Sequence, residues 1–427
     1  VIGLHTVTLT PLDGGPAVDL SCVVDSVTIR HGRDDPTTQP EAASCTLELS
    51  TDLDVEPYPV EVEVGATITV TTEISGTVST RFAGPVTDMT QGWEDAGHET
   101  PDRPVAQVIA MGPLADLGYR VVGDAPWPQQ LDGARVAAVL AAAGITLDPL
   151  TSDPGTVQVL ARDVDAQPAL DVAQSTAVDA GGMVWATKGG EIRYADAHHR
   201  RGTPSSLTLD ACDVLVTPTW SRTTEGLVND VSIGYGPTPD GGEQPRWTGD
   251  RPDSKTRYGE RALSLSTELA GAGDAAALGT MLLTRNSAPV WVMAALPVDV
   301  RGLDLDRTLA LLDLETHDLV WLTGLPAAGT VPTAAYLWVE GWTETLAYGV
   351  HDVELTVSGY CRTSPPPRWN DADPLMTWDT AGAMTWDEAA CFGPLPDYGR
   401  WDDVPATTRW ETVDPSTTWN TYTGGPS

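Results

Sequence analysis

Lysine is nearly missing from this chain. Lys188 and Lys255 are its only lysines in 427 residues, and 24 basic side chains face 60 acidic ones, for a formal charge of −36. That deficit, with no local cluster of Lys or Arg interleaved with aromatics, argues against tight sequence-specific binding of DNA or RNA. An acidic wall instead lets nucleic acid slide past without sticking. Long apolar runs are missing too. Ala134–Ala143 and Val290–Val298 come nearest, and both fall short of the ~20 residues that cross a bilayer. Val1 to Leu20 has neither the basic stretch nor the continuous apolar core of a secretion signal. A soluble protein with no membrane span is expected. Cysteine is sparse: Cys22, Cys45, Cys212, Cys361 and Cys391 are odd in number, scattered and without Cys-x-x-Cys spacing. This disfavours zinc and favours buried free thiols over a Cys22–Cys45 bridge.

Catalytic signatures are equally thin. Asp52/Asp54, Asp163/Asp165, Asp304/Asp306 and Asp371/Asp373 are Asp-x-Asp pairs, but none continues into a calcium-binding loop, so they read as solvated loop acids. His98-Glu99 lacks the second His of a zincin. His198-His199-Arg200-Arg201 reads as a polar linker rather than a metal or phosphate site. Ser205 and Ser221 lack the glycine-flanked elbow of a hydrolase nucleophile. No phosphate loop or dinucleotide fingerprint is present. The expectation is therefore no enzyme, no catalytic residue, no metal and no cofactor, with a cleft built from two distant carboxylates as the formal alternative.

Alternating apolar and polar residues are abundant. Thr6–Thr10, Val27–Arg30, Cys45–Leu49, Ala66–Thr72, Thr80–Met89 and Val105–Ala110 read as half-buried strands, predicting a first small β-barrel over 1–118 with Ile29, Leu47, Ile68 and Val70 inside. Phe82-Ala83-Gly84-Pro85-Val86 puts Gly and Pro in a strand, which implies a bulge or an edge. The period then changes. Ala134–Ala143 and Ala169–Ala180 end at glycines and read as helices, and Met183–Thr187 with Glu191–Ala195 reads as a hairpin, giving an α+β module over 119–206. Strands resume at Leu207–Leu209, Val214–Pro218, Val228–Gly236 and Val350–Ser358. Val231–Gly236 echoes Val27–Gly32, and Val339–Trp342 echoes Phe82–Pro85. These echoes predict a second β-barrel over 207–245 and 314–364, with Ile233, Leu355 and Val357 inside. A second α+β module over 246–313 would interrupt it: a polar loop from Trp247 to Arg257, a helix around Asp274–Arg285, a strand at Val290–Leu296 and a helical turn near Asp306–Leu312. The fold class is mainly β with α+β insertions.

One segment carries a family likeness. In Val24–Leu49 two alternating runs flank Gly32-Arg33-Asp34-Asp35 and Thr38-Gln39-Pro40, followed by Ala42-Ala43-Ser44-Cys45. This pattern resembles the start of minor tail proteins of actinobacterial long-tailed phages, and basic residues that are nearly all Arg, with abundant Ala, Gly, Asp and Thr, fit a GC-rich coding background. The order of barrels and modules is similar to that of tail-tip and baseplate hub proteins. The resemblance implies a structural hub in the virion, at the distal end of the tail, assembled in the host cytoplasm. It implies a homotrimer whose two barrels per chain form a pseudo-six-fold ring matching the tail tube. Its implied partners are distal tail ring and tail tube proteins, the tape measure protein, and tail-tip fibre or receptor-binding proteins. Nothing resembling the hydrolase domain of longer relatives is recognised.

After Pro365-Pro366-Pro367 the composition changes again. Trp369, Trp378, Trp386, Trp401, Trp410 and Trp419 are each followed by Asp, Glu or Asn, and the last three are nine residues apart. This extended Trp/Asp-rich arm, 365–427, is too acidic and Pro/Gly-rich to fold alone, yet its tryptophans require cover. They read as partner-binding anchors, on the chain's own body or on a neighbour. Stacking on sugars would instead make the protein a carbohydrate-binding adhesin, and a peptidoglycan-acting tail enzyme is the third reading.

Overall fold

The computed structural model describes residues 3–50, 62–94, 103–200, 205–215, 218–238, 242–327, 331 and 333–359. The six arm tryptophans, Cys361, Cys391, Asp52/Asp54, Asp371/Asp373 and His98-Glu99 lie outside these residues.

One mixed sheet of 12 strands organises the chain. Its strands are β1 (Leu4–Thr10), β2 (Val18–Asp19), β3 (Val24–Gly32), β4 (Ser44–Ser50), β5 (Thr67–Ile74), β6 (Thr77–Glu94), β7 (Arg103–Met111), β8 (Leu207–Asp210), β9 (Ala295–Asp299), β10 (Leu319–Thr323), β11 (Ala335–Ala347) and β12 (Val350–Gly359). The hydrogen-bonded order is β8-β10-β11-β3-β4-β7-β6-β5-β1-β2, with β12 pairing both β11 and β9. Strict alternation in β3, β4 and β5 turns Val27, Ile29, Cys45, Leu47, Ile68 and Val70 to one side, where they form a single core with Val7, Leu9, Phe82 and Val108. Leu355 and Val357 of β12 lie in a second core with Leu209, Leu296, Val320, Leu337 and Trp342.

Two small closed barrels were expected, and among the described residues neither forms. The first half curls over its core, but its end strands do not meet. The outer neighbour of β1 is β2, and the outer edge of β3 is taken by β11 over Gly32–Ser26 against Gly341–Ala347. Closure of each half is replaced by fusion of the two halves.

Two α+β units sit between the strands. In the first, α1 (Asp132–Ala142) and α2 (Ala169–Ala180) pack with the hairpin Met183–Ala186/Ile192–Ala195 around Val139, Val172 and Tyr194. Gly181 ends α2 in the left-handed region, as its position after the helix pattern predicts. In the second, Asp230–Gly234 lies between Arg246–Asp250 and Ala262–Ser266, covered by α3 (Ala272–Asn286). Ile233 therefore packs with Leu269, Ala275 and Leu283, not with Leu355 and Val357. Its echo of β3 is a chance likeness. The stretch read as a polar loop from Trp247 contains a strand and the short helix Pro252–Tyr258; its alternation is carried by Trp247 alone among polar neighbours. The strand read at Val290–Leu296 divides into Val292–Met293 and β9, and the expected helical turn is α4 (Leu305–Asp313). Of the thiols, Cys45 is buried, whereas Cys22 and Cys212 are exposed; all three are free.

The echo between Phe82–Pro85 and Val339–Trp342 has a structural counterpart. Each strand breaks register there, between Val70 and Thr71 on the partner of β6 and between Val339 and Gly341 on β11. Each carries a glycine pressed on another backbone: a Cβ on Gly84 would lie 2.3 Å from the Met111 carbonyl oxygen, and one on Gly341 2.4 Å from that of His31. Gly84→Ala and Gly341→Ala should each cost roughly 1–3 kcal/mol in chemical unfolding, since rigid backbone must move. Gly273→Ala, in α3 with nothing within 4 Å, should be neutral or stabilising. Equal effects from all three would contradict the close approach.

Candidate functional site: a buried charged joint

The fused halves meet around two carboxylates of β11. Glu340 and Glu344 are both fully buried, in a strand that is otherwise mostly apolar. Glu340 is the extra residue of the β11 bulge, in the stretch Ala335–Trp342 that is buried on both faces of the sheet. Glu344 sits at a regular inward position, between Trp342 of the second core and Leu346 of the first.

Glu344 is met from the first half. Arg81 Nε donates to both its oxygens at 3.0 and 2.9 Å, Arg81 Nη2 donates at 2.8 Å, and His351 Nε2 lies at 2.7 Å. Arg81 reaches inward because it is the unpaired residue of the β6 bulge, beside buried Phe82. Its Nη1 donates to the Leu312 carbonyl near the end of α4. Lys188, from the hairpin turn of the first α+β unit, donates to the Leu312 and Leu314 carbonyls at 2.6 and 2.7 Å. Two cations thus complement the negative end of α4. His31 on β3 bonds the Arg81 carbonyl at 2.9 Å and stacks on Trp342 at 4.7 Å.

Glu340 is met by two arginines. Arg33 Nε and Nη2 reach Oε2 at 2.9 and 2.6 Å, and Arg200 Nη1 and Nη2 reach Oε1 and Oε2 at 2.8 Å each. Arg200 also donates from Nε to His317 Nδ1 at 2.7 Å and lies over the Trp338 ring at 5.2 Å. His199 bonds Asp153 at 2.8 Å. The segment expected to be a polar linker is thus part of a packed joint, because its arginine has a buried carboxylate to meet.

The Gly32–Pro40 loop ties in the first α+β unit. Gly32 adopts φ +80, and a Cβ there would sit 2.3 Å from the Glu340 carbonyl oxygen. Gln39 behaves as a false strand end: its amide donates to the Gly182 carbonyl at 3.0 Å and accepts from Val184 N at 3.1 Å. Gln174 of α2 donates to the Pro40 carbonyl at 2.9 Å. The residues that carry the family likeness are those that hold three parts of the chain together.

Burial alone would raise both carboxyls. Arg200 and Arg33 outweigh it at Glu340, and Arg81 with His351 at Glu344, holding each down to about 2. Burial lowers His31 to about 4, and lowers His5, which also faces His351, to about 4. Every carboxylate oxygen of this pair is engaged by a donor, so the arrangement fastens separate parts of the chain to β11. Among the described residues no group of three or more His, Cys, Asp or Glu is placed to hold a metal ion. The sequence did not single out Arg81, Glu340 or Glu344. For Glu340 and Glu344 the available signal was their presence in a mostly apolar strand; β6 around Arg81, rich in Thr and Ser, offers none.

No family model matches the chain, and no curated protein matches it in sequence. Solved structures do match. The 43 kDa tail protein of prophage MuSo2 from Shewanella oneidensis aligns over 83% of this chain and 97% of its own, with 13% identity and a TM-score of 0.55. A tail protein from Neisseria meningitidis aligns over 83% and 96%, with 12% identity and a TM-score of 0.55. Prophage tail protein gp18 from Listeria monocytogenes aligns over 82% and 94%, with 11% identity and a TM-score of 0.52. The fold is that of prophage tail proteins. At such identities the likeness speaks for the fold alone. It takes in nearly the whole length of each matched chain.

Acid should open the joint. His5 and His31 titrate below the ordinary 6.5 when folded, so the unfolded chain binds protons first, and stability present above pH 6.5 falls as pH drops toward about 4. Glu340 and Glu344, lowered from 4.5 to about 2, add a loss through that lower window in the same direction. The thermal midpoint should therefore decline steadily from pH 7 to pH 4; a flat profile would contradict the geometry. Arg81→Leu should cost about 3–5 kcal/mol, because it strands a buried carboxylate.

Proposed function

We propose that this chain is a structural hub of a phage tail tip. In this reading three copies form a ring that joins the six-fold tail tube to distal fibre or receptor-binding proteins, in contact with the distal tail ring and the tape measure protein. The observation that carries it is the joining of two curled half-sheets edge to edge within one chain whose fold is that of prophage tail proteins. The two half-sheets of each chain would give a three-fold assembly six contacts to set against a six-fold tube, although the halves differ in strand number and order. The strongly acidic composition suits a passage for nucleic acid. The role is mechanical, and a joint buried in charged clamps suits a part that must not come apart under load.

The arm 365–427 is the proposed attachment element, with Trp369, Trp378, Trp386, Trp401, Trp410 and Trp419 as anchors on a neighbouring tail protein. Anchors of this size contribute about 1.5–3 kcal/mol each when buried. Solution mass and virion reconstruction test the reading together: a trimer located at the tail tip is expected, and a stable monomer absent from the tail would overturn it. Removing residues 366–427 should leave a folded trimer that no longer holds its neighbour. Normal particles that fail to bind cells would point to the adhesin reading instead.

A further inference from the structure

Most arginines of this chain are paired. Among the described residues, ten arginines outside the second α+β unit lie within 4.0 Å of a carboxylate. Arg222, Arg251, Arg257 and Arg261 differ: each is exposed, and none has a carboxylate within that distance among the described residues. Glu225, Asp253 and Glu260 are exposed in the same region but pair with none of the four, and Asp230 and Asp250 are taken by Lys255 at 2.5 and 2.9 Å. In a chain with 60 acidic residues to 24 basic ones, guanidinium groups left without a carboxylate mark a place reserved for one.

The four arginines gather along residues 284–291, the end of α3 and the segment after it. Arg251 Nη2 donates to Thr284 Oγ1 at 3.2 Å. Arg222 Nε donates to the Pro289 carbonyl at 3.1 Å, and its guanidinium lies 5.9 Å from the centre of the Trp291 ring. Buried Asn229 positions the other two. Its amide donates to the Gly259 carbonyl at 2.8 Å and to Ser254 Oγ at 3.1 Å, and accepts from Arg261 N at 2.7 Å. Ser254 Oγ donates in turn to the Ser287 carbonyl at 2.5 Å, which pins the short helix carrying Arg257 against the end of α3. The last described residue of β12 comes to the same place: a Cβ on Gly359 would sit 3.4 Å from the Trp291 carbonyl oxygen.

The sequence beyond Gly359 turns acidic. Residues 369–388 hold Asp371, Asp373, Asp379, Asp387 and Glu388 and no basic side chain. Asp371 is twelve residues beyond Gly359, a reach of up to about 40 Å at ~3.3 Å per residue. Tethering beside the arginines gives this stretch a local concentration that a free partner does not match. A nucleic acid or a second copy would approach through the field of a chain with charge −36.

We propose that residues 369–388 dock their carboxylates on Arg222, Arg251, Arg257 and Arg261 of their own chain. The inference rests on the reading of 365–427 as the attachment element and deepens it by naming what seats the root of the arm, its acids meeting the body while Trp369, Trp378 and Trp386 are left for the neighbour. Exposed pairs of this kind are individually weak and screened by salt, so the seating is salt-sensitive.

The scarcity of lysine supplies the test, on the full chain. Lys188 is buried and Lys255 is held by two aspartates, so Arg257→Lys and Arg261→Lys each place one accessible amine on the surface without changing its charge. Zero-length carbodiimide coupling, read by peptide mass spectrometry, should join that amine to acids of 369–388 within a single chain, with a yield that falls about tenfold between roughly 50 and 500 mM salt. Arg120→Lys, exposed on the first α+β unit, should give no such product. Coupling confined to acids of the body such as Glu260, or products that join two chains, would overturn the inference. Arg251→Glu/Arg257→Glu gives a second readout: proteolytic cleavage within 369–388 should become about tenfold faster while the thermal midpoint of the body is unchanged. Equal cleavage rates would also overturn it. Loss of both signals in a protein whose arm still holds its neighbour sinks this inference alone. Coupling as expected, with the neighbour still held after removal of 366–427, sinks the attachment reading and leaves the docking standing.

Discussion

A carboxylate buried in a strand must find a cation, and Glu340 and Glu344 find theirs in other parts of the chain. Arg81 comes from the first half-sheet, Arg33 from the loop after β3, and Arg200 from the end of the first α+β unit. Each pair spans well over a hundred residues of sequence. Desolvation makes such pairs poor sources of net stability compared with apolar packing. What they impose is correctness: misplacing any one segment leaves a charge in low dielectric, at a cost of several kcal/mol. The fused sheet, the position of α4 and the docking of the Gly32–Pro40 loop all depend on that condition.

The backbone prepares the joint before the charges meet. The bulge at Arg81 turns that side chain inward beside Phe82, and the bulge after Val339 keeps Trp342 on the side of the second core while Glu340 faces Arg33, Arg200 and Ser358. Glycines at 32, 84 and 341 permit the backbones to approach within distances a Cβ forbids. β11 then passes from one core to the other, contributing Val339 and Trp342 to the second and Leu346 to the first. Bulge, glycine and ion pair form one device, used on both sides of the fusion.

Much of this was legible in the sequence, and the failures have physical causes. Alternation identified the strands around Ile29, Leu47, Ile68, Val70, Leu355 and Val357, and glycine ends identified α1 and α2. Alternation reports one wet and one dry face, but it does not report which edge a strand shares. Two closed barrels and one fused sheet therefore look alike until the β3–β11 pairing is seen. Ile233 shows the same limit, since its strand alternates correctly but belongs to the three-stranded sheet under α3. Arg81 and Glu340 were missed because each is the extra residue of a bulge, and Glu344 because a carboxylate at an inward position reads as a wet one until its cation is in place. Arg33 and Gln39 were noticed as a family signature, and their physical work appeared only when Glu340 and the Gly182–Val184 edge came into contact with them.

Native-state hydrogen exchange across the β3–β11 ladder tests the central claim, that the two halves form one cooperative body. Amides pairing Val27–His31 with Trp342–Leu346 should open with the same free energy as those of Ile68, Val70 and Leu355 in the two cores. Exchange at the ladder through a separate, lower-energy opening would mean that the halves are independent and that the charged joint does not unite them.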